Sequence, residues 1–195
     1  MSDALDGAAL DRLFRTARTR NTWRDERIDE SAMRELYDLV KMGPTSANTS
    51  PARFVWVATE AGRARLAPHL SEGNRAKTLT APVCVIIGYD LDFAAKIPQL
   101  FPHNPGAVDW FNDPGVAFNT AYRNSTLQGG YLIMAARALG YDAGPMSGFD
   151  AKGVEAEFFA GTDIRANFLC AIGHGTDEPF ARSPRLSFDE ACRIA

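Results

Sequence analysis

Residues 116–139 read VAFNTAYRNSTLQGGYLIMAARAL. Nothing in this stretch breaks a helix strongly. It is expected as one helix of about 24 residues, roughly 36 Å at 1.5 Å per residue. Gly129 and Gly130 stand in its middle. Each costs about 1 kcal/mol relative to alanine in a helix, so close packing against a neighbour is the expected reason for them. Residues 131–139 are apolar on most faces, which buries that end in the core or in a subunit interface. A 195-residue monomer does not readily cover so much apolar surface, and the stretch therefore predicts a homodimer.

Outward from this rod, helical and strand-like segments alternate. Residues 8–17 look helical. In 30–42, Met33, Leu36, Tyr37 and Val40 fall at i, i+3, i+4 and i+7, with Asp29 or Ser31 placed to cap. Residues 53–58 and 83–89 read as buried strands, and Thr59 can cap a helix running to about residue 67. Residues 91–97 are expected helical. The proline-rich stretch 98–115 carries Phe101, Trp110 and Phe111 and reads as a lid or pocket wall. A short helix at 150–159, a strand at 168–173 and a mixed tail complete the chain. Without hairpin signals the pattern predicts a single layered α/β or α+β domain over residues 1–195, with helices covering a sheet.

Composition narrows the chemistry. Hydrophobic residues make up 46 % of the chain and the net charge is −3. This supports a sizeable core and gives no global attraction to nucleic acid or an anionic membrane. No apolar run approaches the ~18 residues of a membrane span. The start, MSDALDGAALDRLFR, lacks a signal-peptide pattern, and cytoplasm is the default. Cys84 and Cys170 lie in apolar strand-like runs and read as buried thiols; with Cys192 they form no CxxC. His69, His103 and His174 are isolated, with no metal-ligand spacing. There is no GxSxG elbow and no Walker A loop, and GHGTDE (173–178) lacks the third glycine of a dinucleotide fingerprint. Such a chain either binds without reacting or takes its chemistry from a cofactor.

Three stretches bear on which cofactor. RLFRTARTRNTWR (12–24) holds Arg12, Arg15, Arg18, Arg20 and Arg24 with no acid between them. A solvated helix end would look the same; a phosphate site would use these guanidinium groups with Thr19, Asn21 and Thr22, and with Arg182 and Arg185 of FARSPRLSF (180–188). GPTSANTSPARF (43–54) offers small hydrogen-bonding residues between a helix and a strand, as an ordinary turn also would. GPMSGFD (144–150) reads as kinked, unpaired backbone before a helix that Asp150 can cap, and its free N–H groups suit a flavin N5.

Taken together, RTRNTW (18–23), GPTSANTSPARF, GNRAKTLTAPV (73–83), ARALGYDAGPMSGFD (136–150), AIGHG (171–175) and RSPRLSF (182–188) resemble the nitroreductase superfamily of FMN enzymes over essentially the whole chain. GPTSAN.SPAR, LFPH (100–103), RNS..Q (123–128), FFAG (158–161) and RLSF.EAC (185–192) resemble the malonic semialdehyde reductases, or 3-hydroxypropanoate dehydrogenases, of bacterial pyrimidine degradation.

The resemblance implies a nitroreductase-like α+β fold with a central mixed sheet covered by helices, a two-fold dimer with one FMN per protomer at the interface, and NADPH or NADH as electron donor. It places Arg18, Thr19 and Asn21 at the phosphate and ribityl chain and Arg185 on the phosphate. Arg20 stands in for the family's second basic contact, and Arg182 joins the phosphate set. Asn74 and Lys77 match the pair at the pyrimidine end of the flavin. Pro145, Met146, Ser147 and Gly148 lie along the ring, with the Ser147 or Gly148 amide near N5. Pro44, Thr45, Ser46 and Asn48 reach the FMN of the other subunit. Ser50 and Ala52 depart from the glutamine and tryptophan common in nitroreductases. For the substrate carboxylate the candidates are Arg53, His103 and, preferred, Arg123, read as sharing a polar stripe with Asn124 and Gln128. The alternatives are a nitro- or quinone-reducing enzyme and a flavin-binding protein without turnover.

Overall fold

The computed structural model describes residues 4–176 and 181–195. Residues 1–3 of the N-terminal stretch and 177–180 of the mixed tail lie outside the described residues. The first helix, α1 (Gly7–Leu10), is capped by Asp6 and widens into a π turn over Asp11–Arg15. Helix α2 (Glu30–Val40) starts at Asp29, whose side chain accepts the Ala32 N–H, and buries Leu36 and Val40. After a tight turn comes β1 (Ala52–Val57). Thr59 caps α3 (Glu60–Leu66), followed by α4 (Glu72–Leu79) and β2 (Val83–Asp90). The aromatic stretch is not an open loop: α5 (Ile97–Leu100) and a 3-10 segment (Pro105–Phe111) shape it, with Phe93 and Phe111 edge to face at 4.9 Å.

Helix α6 (Pro114–Ala138) is the expected rod, capped by Asp113 with Pro114 in its first turn. Then come β3 (Asp142–Met146), α7 (Ala151–Phe158), β4 (Ile164–Gly173) and α8 (Phe188–Ala191). Asp150 occupies the N-cap position of α7, yet its side chain makes no capping bond.

The strands form one sheet in the order β1-β2-β4-β3. Each of the three pairings is antiparallel, where a mixed sheet was expected. The two helices between β1 and β2 bring the chain back to the end it left, so a helical connection here does not make parallel neighbours. Both sheet faces are covered. Cys84, Ile86, Leu169 and Ala171 face Leu66, Leu70, Val154 and Phe159. Val83, Val85, Ile87, Cys170 and Ile172 face Leu36, Val40, Leu132 and Ala136. Covering on both sides explains why β2 reads as continuous apolar sequence rather than alternating.

The glycine pair of α6 divides. A Cβ on Gly129 would lie 2.3 Å from Phe168 Cζ, so the helix packs there on β4 as expected. Gly130 has nothing within 4 Å of such an atom.

One expectation is corrected at β3. Residues 142–146 are not unpaired backbone; they ladder onto β4, with Pro145 opposite Cys170. Proline fits because β3 is an edge strand. The free edge is touched by the N-terminal segment, where Thr19 bridges to Ala143 in parallel.

Candidate cofactor and active site

The arginine-rich segment does not continue the first helix. It crosses the sheet edge as extended chain, pinned by Trp23. The Trp23 indole N–H donates to the Lys77 carbonyl at 2.8 Å, and the residue bridges to Gly175. This holds Arg18, Thr19 and Asn21 at the mouth of a cleft of about 540 Å³. The tail supplies the other wall. Arg182 Nη2 donates to the carbonyls of Arg15 and Ala17, both at 2.8 Å, and among the described residues Arg185 bonds only its neighbours' carbonyls, Ser183 and Pro184.

Arg18, Arg137, Arg182 and Arg185 all line this cleft, and among the described residues no carboxylate does. Four guanidinium groups gathered beside a threonine, an asparagine and a serine form a donor set that suits a phosphate dianion. FMN phosphate fits them by this chemistry.

Arg137 was not expected at the site, because it sits inside the apolar run YLIMAARAL. Its Nη1 donates to the Leu13 carbonyl at 2.9 Å, while its Nε is buried without a hydrogen-bond partner among the described residues. Burial lowers its pKa. The only sequence signal is an arginine in the last turn of a helix. Arg20 is not brought to this cleft. Its Nε lies 3.7 Å from Asp142 Oδ2, and it lines a neighbouring cleft with Arg12, Tyr141 and His174. Adjacent residues of an extended segment point to opposite sides, which separates Arg20 from Thr19 and Asn21.

From the Thr19–Ala143 bridge, β3 leads to the second part of the site. Ala143 to Ser147 spans about 13 Å at ~3.3 Å per residue. Met146 Sδ accepts from the Thr78 hydroxyl at 3.1 Å. Beyond it the Gly148 carbonyl accepts from the Ser71 hydroxyl (2.7 Å), the Ser71 N–H (3.2 Å) and Asn74 Nδ2 (2.9 Å). A Cβ on Gly148 would lie 2.5 Å from Asn74 Nδ2, so a side chain here would displace the Asn74 amide from the corner. The Gly148 N–H has no hydrogen-bond partner among the described residues. Asn74, on α4 with Lys77 three residues further along the helix, thus reaches the Gly148 corner.

The 43–52 loop lies elsewhere. Asn124, which binds it, precedes Arg137 by thirteen residues on α6, about 20 Å along the axis. Ala47, Asn48 and Ser50 have φ of 47°, 51° and 41°. Each costs about 1–2 kcal/mol for a side-chain-bearing residue. Thr45 Oγ1 accepts the Ser50 N–H, Asn48 Nδ2 donates to the Leu100 carbonyl, and the Pro44 carbonyl accepts the Tyr131 hydroxyl.

Asn124 and Gln128 are 4 % exposed and serve this loop, accepting the N–H groups of Ser46 and Ala52. Arg123 does not share their stripe. One residue earlier on a helix is a rotation of 100°, and Arg123 is exposed, without a hydrogen bond or ion pair among the described residues. Of the other carboxylate candidates, Arg53 is engaged by Asp90 at 2.6 Å and by the Ser50 and Ala52 carbonyls. His103 stands with its ring centre 3.9 Å from that of Phe101.

Neither buried thiol is a nucleophile. Burial pushes Cys170 up to about 12 and Cys84 higher still. Among the described residues no group of three or more His, Cys, Asp or Glu could hold a metal ion, and no helix is long and apolar enough to cross a membrane.

Residues 15–175 match the nitroreductase family. The chain belongs to the nitroreductase family. A protein of Stenotrophomonas maltophilia strain R551-3, provisionally named NADH dehydrogenase/NAD(P)H nitroreductase, is 61 % identical over 197 residues and the match covers 100 % of both chains. One of Caulobacter sp. strain K31, with the same provisional name, is 60 % identical over 191 residues, covering 97 % of this chain and 98 % of the relative. The fold is that of a provisionally named nitroreductase from Exiguobacterium sibiricum, solved with FMN: TM-score 0.86, 21 % identity, covering 100 % of this chain and 99 % of that one. The basic cleft of this nitroreductase-family chain and its glycine corner lie at the two ends of β3.

Proposed function

We propose that the chain is a cytoplasmic, FMN-dependent oxidoreductase of a single domain, working as a homodimer with NADPH or NADH as donor. Its proposed acceptor is a small carbonyl acid, malonic semialdehyde reduced to 3-hydroxypropanoate. The observation that carries the reading is the cleft that gathers Arg18, Arg137, Arg182 and Arg185, joined along β3 to the Gly148 corner. FMN bound there supplies hydride transfer between nicotinamide and acceptor. Arginine side chains and Ser183 would hold the phosphate, Thr19 and Asn21 the ribityl hydroxyls, and the Gly148 N–H would be the donor offered to the flavin ring. Asn74 and Lys77 face the pyrimidine end, where a cation offsets negative charge. The protein positions and polarises; no side chain acts as nucleophile.

Exposed apolar surface supports the dimer. Val116, Phe118, Tyr122 and Leu127 on α6, Tyr37, Leu39 and Met42 on and after α2, and Leu186, Phe188 and Ile194 in the tail are each at least 43 % exposed. The loop at Pro44–Asn48 then serves the second protomer's cofactor. Arg123, exposed near Tyr122 on this face, is the cation for the substrate carboxylate.

Nitro- or quinone reduction is the second reading, favoured by the names its relatives carry. The experiment is stepwise. The purified protein should show flavin bands, and NADPH should bleach them without oxygen; flavin that NADPH does not bleach marks a binding protein without turnover. Malonic semialdehyde should then give a higher kcat/KM than nitroaromatics or quinones; the reverse order selects the second reading. Sedimentation of a flavin-loaded monomer would remove the dimer and the role given to residues 44–48.

A further inference from the structure

Helix α6 touches the 43–52 loop at positions 124, 128 and 131, the i, i+4, i+7 spacing of one helix face. At each contact a polar side-chain group meets loop backbone: Asn124 Oδ1 accepts from Ser46 N at 2.9 Å, Gln128 Oε1 accepts from Ala52 N at 2.9 Å, and the Tyr131 hydroxyl donates to Pro44 O at 2.8 Å. The Tyr131 ring also lies where a Gly43 Cβ would be, 2.1 Å from Cδ2. Inside a buried helix face the default residue is apolar. Two buried amides stand there instead, and each spends its acceptor oxygen on an N–H at one end of the left-handed stretch Ala47–Ser50. Three strained residues in a row of four persist only where the surroundings over-determine them.

We propose that Asn124, Gln128 and Tyr131 are positioning residues, a clamp that holds residues 43–52 in this strained path and so sets how Thr45, Ser46 and Asn48 are presented to the cofactor. The proposal rests on the flavin reading for its second half only. The clamp itself is read from the free chain, by hydrogen exchange.

Gln128→Met keeps length and volume but removes the acceptor, leaving the Ala52 N–H without a partner. Gln128→Glu keeps an acceptor oxygen. In Gln128→Met, exchange of the 43–54 peptide should accelerate at least about tenfold while the β2 and β4 peptides keep their protection. FMN should bind about tenfold more weakly, the scale of one lost hydrogen bond. Gln128→Glu should recover most of both. Tyr131→Phe, which keeps the ring over Gly43 and folds without a cavity, should shift both readouts in the same direction by about threefold, and carries the test if Gln128→Met does not fold.

Unchanged loop exchange in the variants overturns the clamp. Faster exchange with unchanged FMN affinity overturns the presentation role, and equal damage from Gln128→Glu puts the effect in packing and overturns it as well. If the unaltered protein binds no FMN, the flavin reading fails while the exchange result still decides the clamp.

Discussion

Arg185→Ala separates the phosphate from everything else in the cleft. The Arg185 side chain is exposed and, among the described residues, bonds only the carbonyls of Pro184 and Ser183, one and two residues away. Its removal therefore costs the fold little, within about 0.5 kcal/mol for a surface position. On a bound phosphate dianion the same guanidinium makes a charged hydrogen bond, worth about 1.5–3 kcal/mol. At about 1.4 kcal/mol per factor of ten, FMN should bind roughly 10- to 150-fold more weakly. Riboflavin has no phosphate and should change by less than about twofold, within that surface-level uncertainty. Titration of flavin fluorescence with each ligand measures both. The FMN affinity of the unaltered protein should fall with salt, and that slope should lessen in the variant. Arg182→Ala is the control with a structural component. It also cuts the bonds to Arg15 and Ala17, so it should lower Tm as well as FMN affinity. Equal losses for FMN and riboflavin in Arg185→Ala would remove Arg185 from the phosphate and refute the reading of the cleft.

Arg123→Met should slow reduction of an acidic aldehyde about tenfold or more in kcat/KM and leave a neutral quinone nearly unchanged; parallel losses on both would take Arg123 out of the site. Gly129→Ala drives a methyl to within 2.3 Å of Phe168 and should destabilise the protein by about 1–3 kcal/mol in denaturant unfolding. Gly130→Ala meets nothing among the described residues and should be neutral or stabilising by up to about 1 kcal/mol in that measurement, unless a second protomer packs on it. Alkylation of the native protein should label exposed Cys192 and spare Cys84 and Cys170, whose burial keeps them as thiols; raising the pH to 9 should not change this, since both remain below their pKa.

The sequence by itself determined the elements whose signals are local. The α2 periodicity and its Asp29 cap, the Thr59 cap, the length of α6 and the two apolar strands at 83 and 168 all follow from residues within one or two turns of each other. The donor-rich segments were legible for the same reason: arginines and small polar residues in short runs declare a chemistry before any fold is known. What only the tertiary structure decided is direction and partnership. GPMSG reads as open backbone because its glycines and proline give no strand signal, yet the β4 ladder satisfies residues 142–146 and leaves only the corner at Gly148. Arg137 looked like part of an apolar helix and lines the basic cleft, whereas Arg20, inside the arginine run, turns to Asp142. Asn124 and Gln128 looked like substrate-facing polar residues with Arg123, and they face inward to the loop instead. A helix rotates by 100° and a strand by 180° per residue, so one position in sequence changes which neighbour a side chain meets. The neighbour itself comes from chain dozens of residues away, and no local pattern carries it.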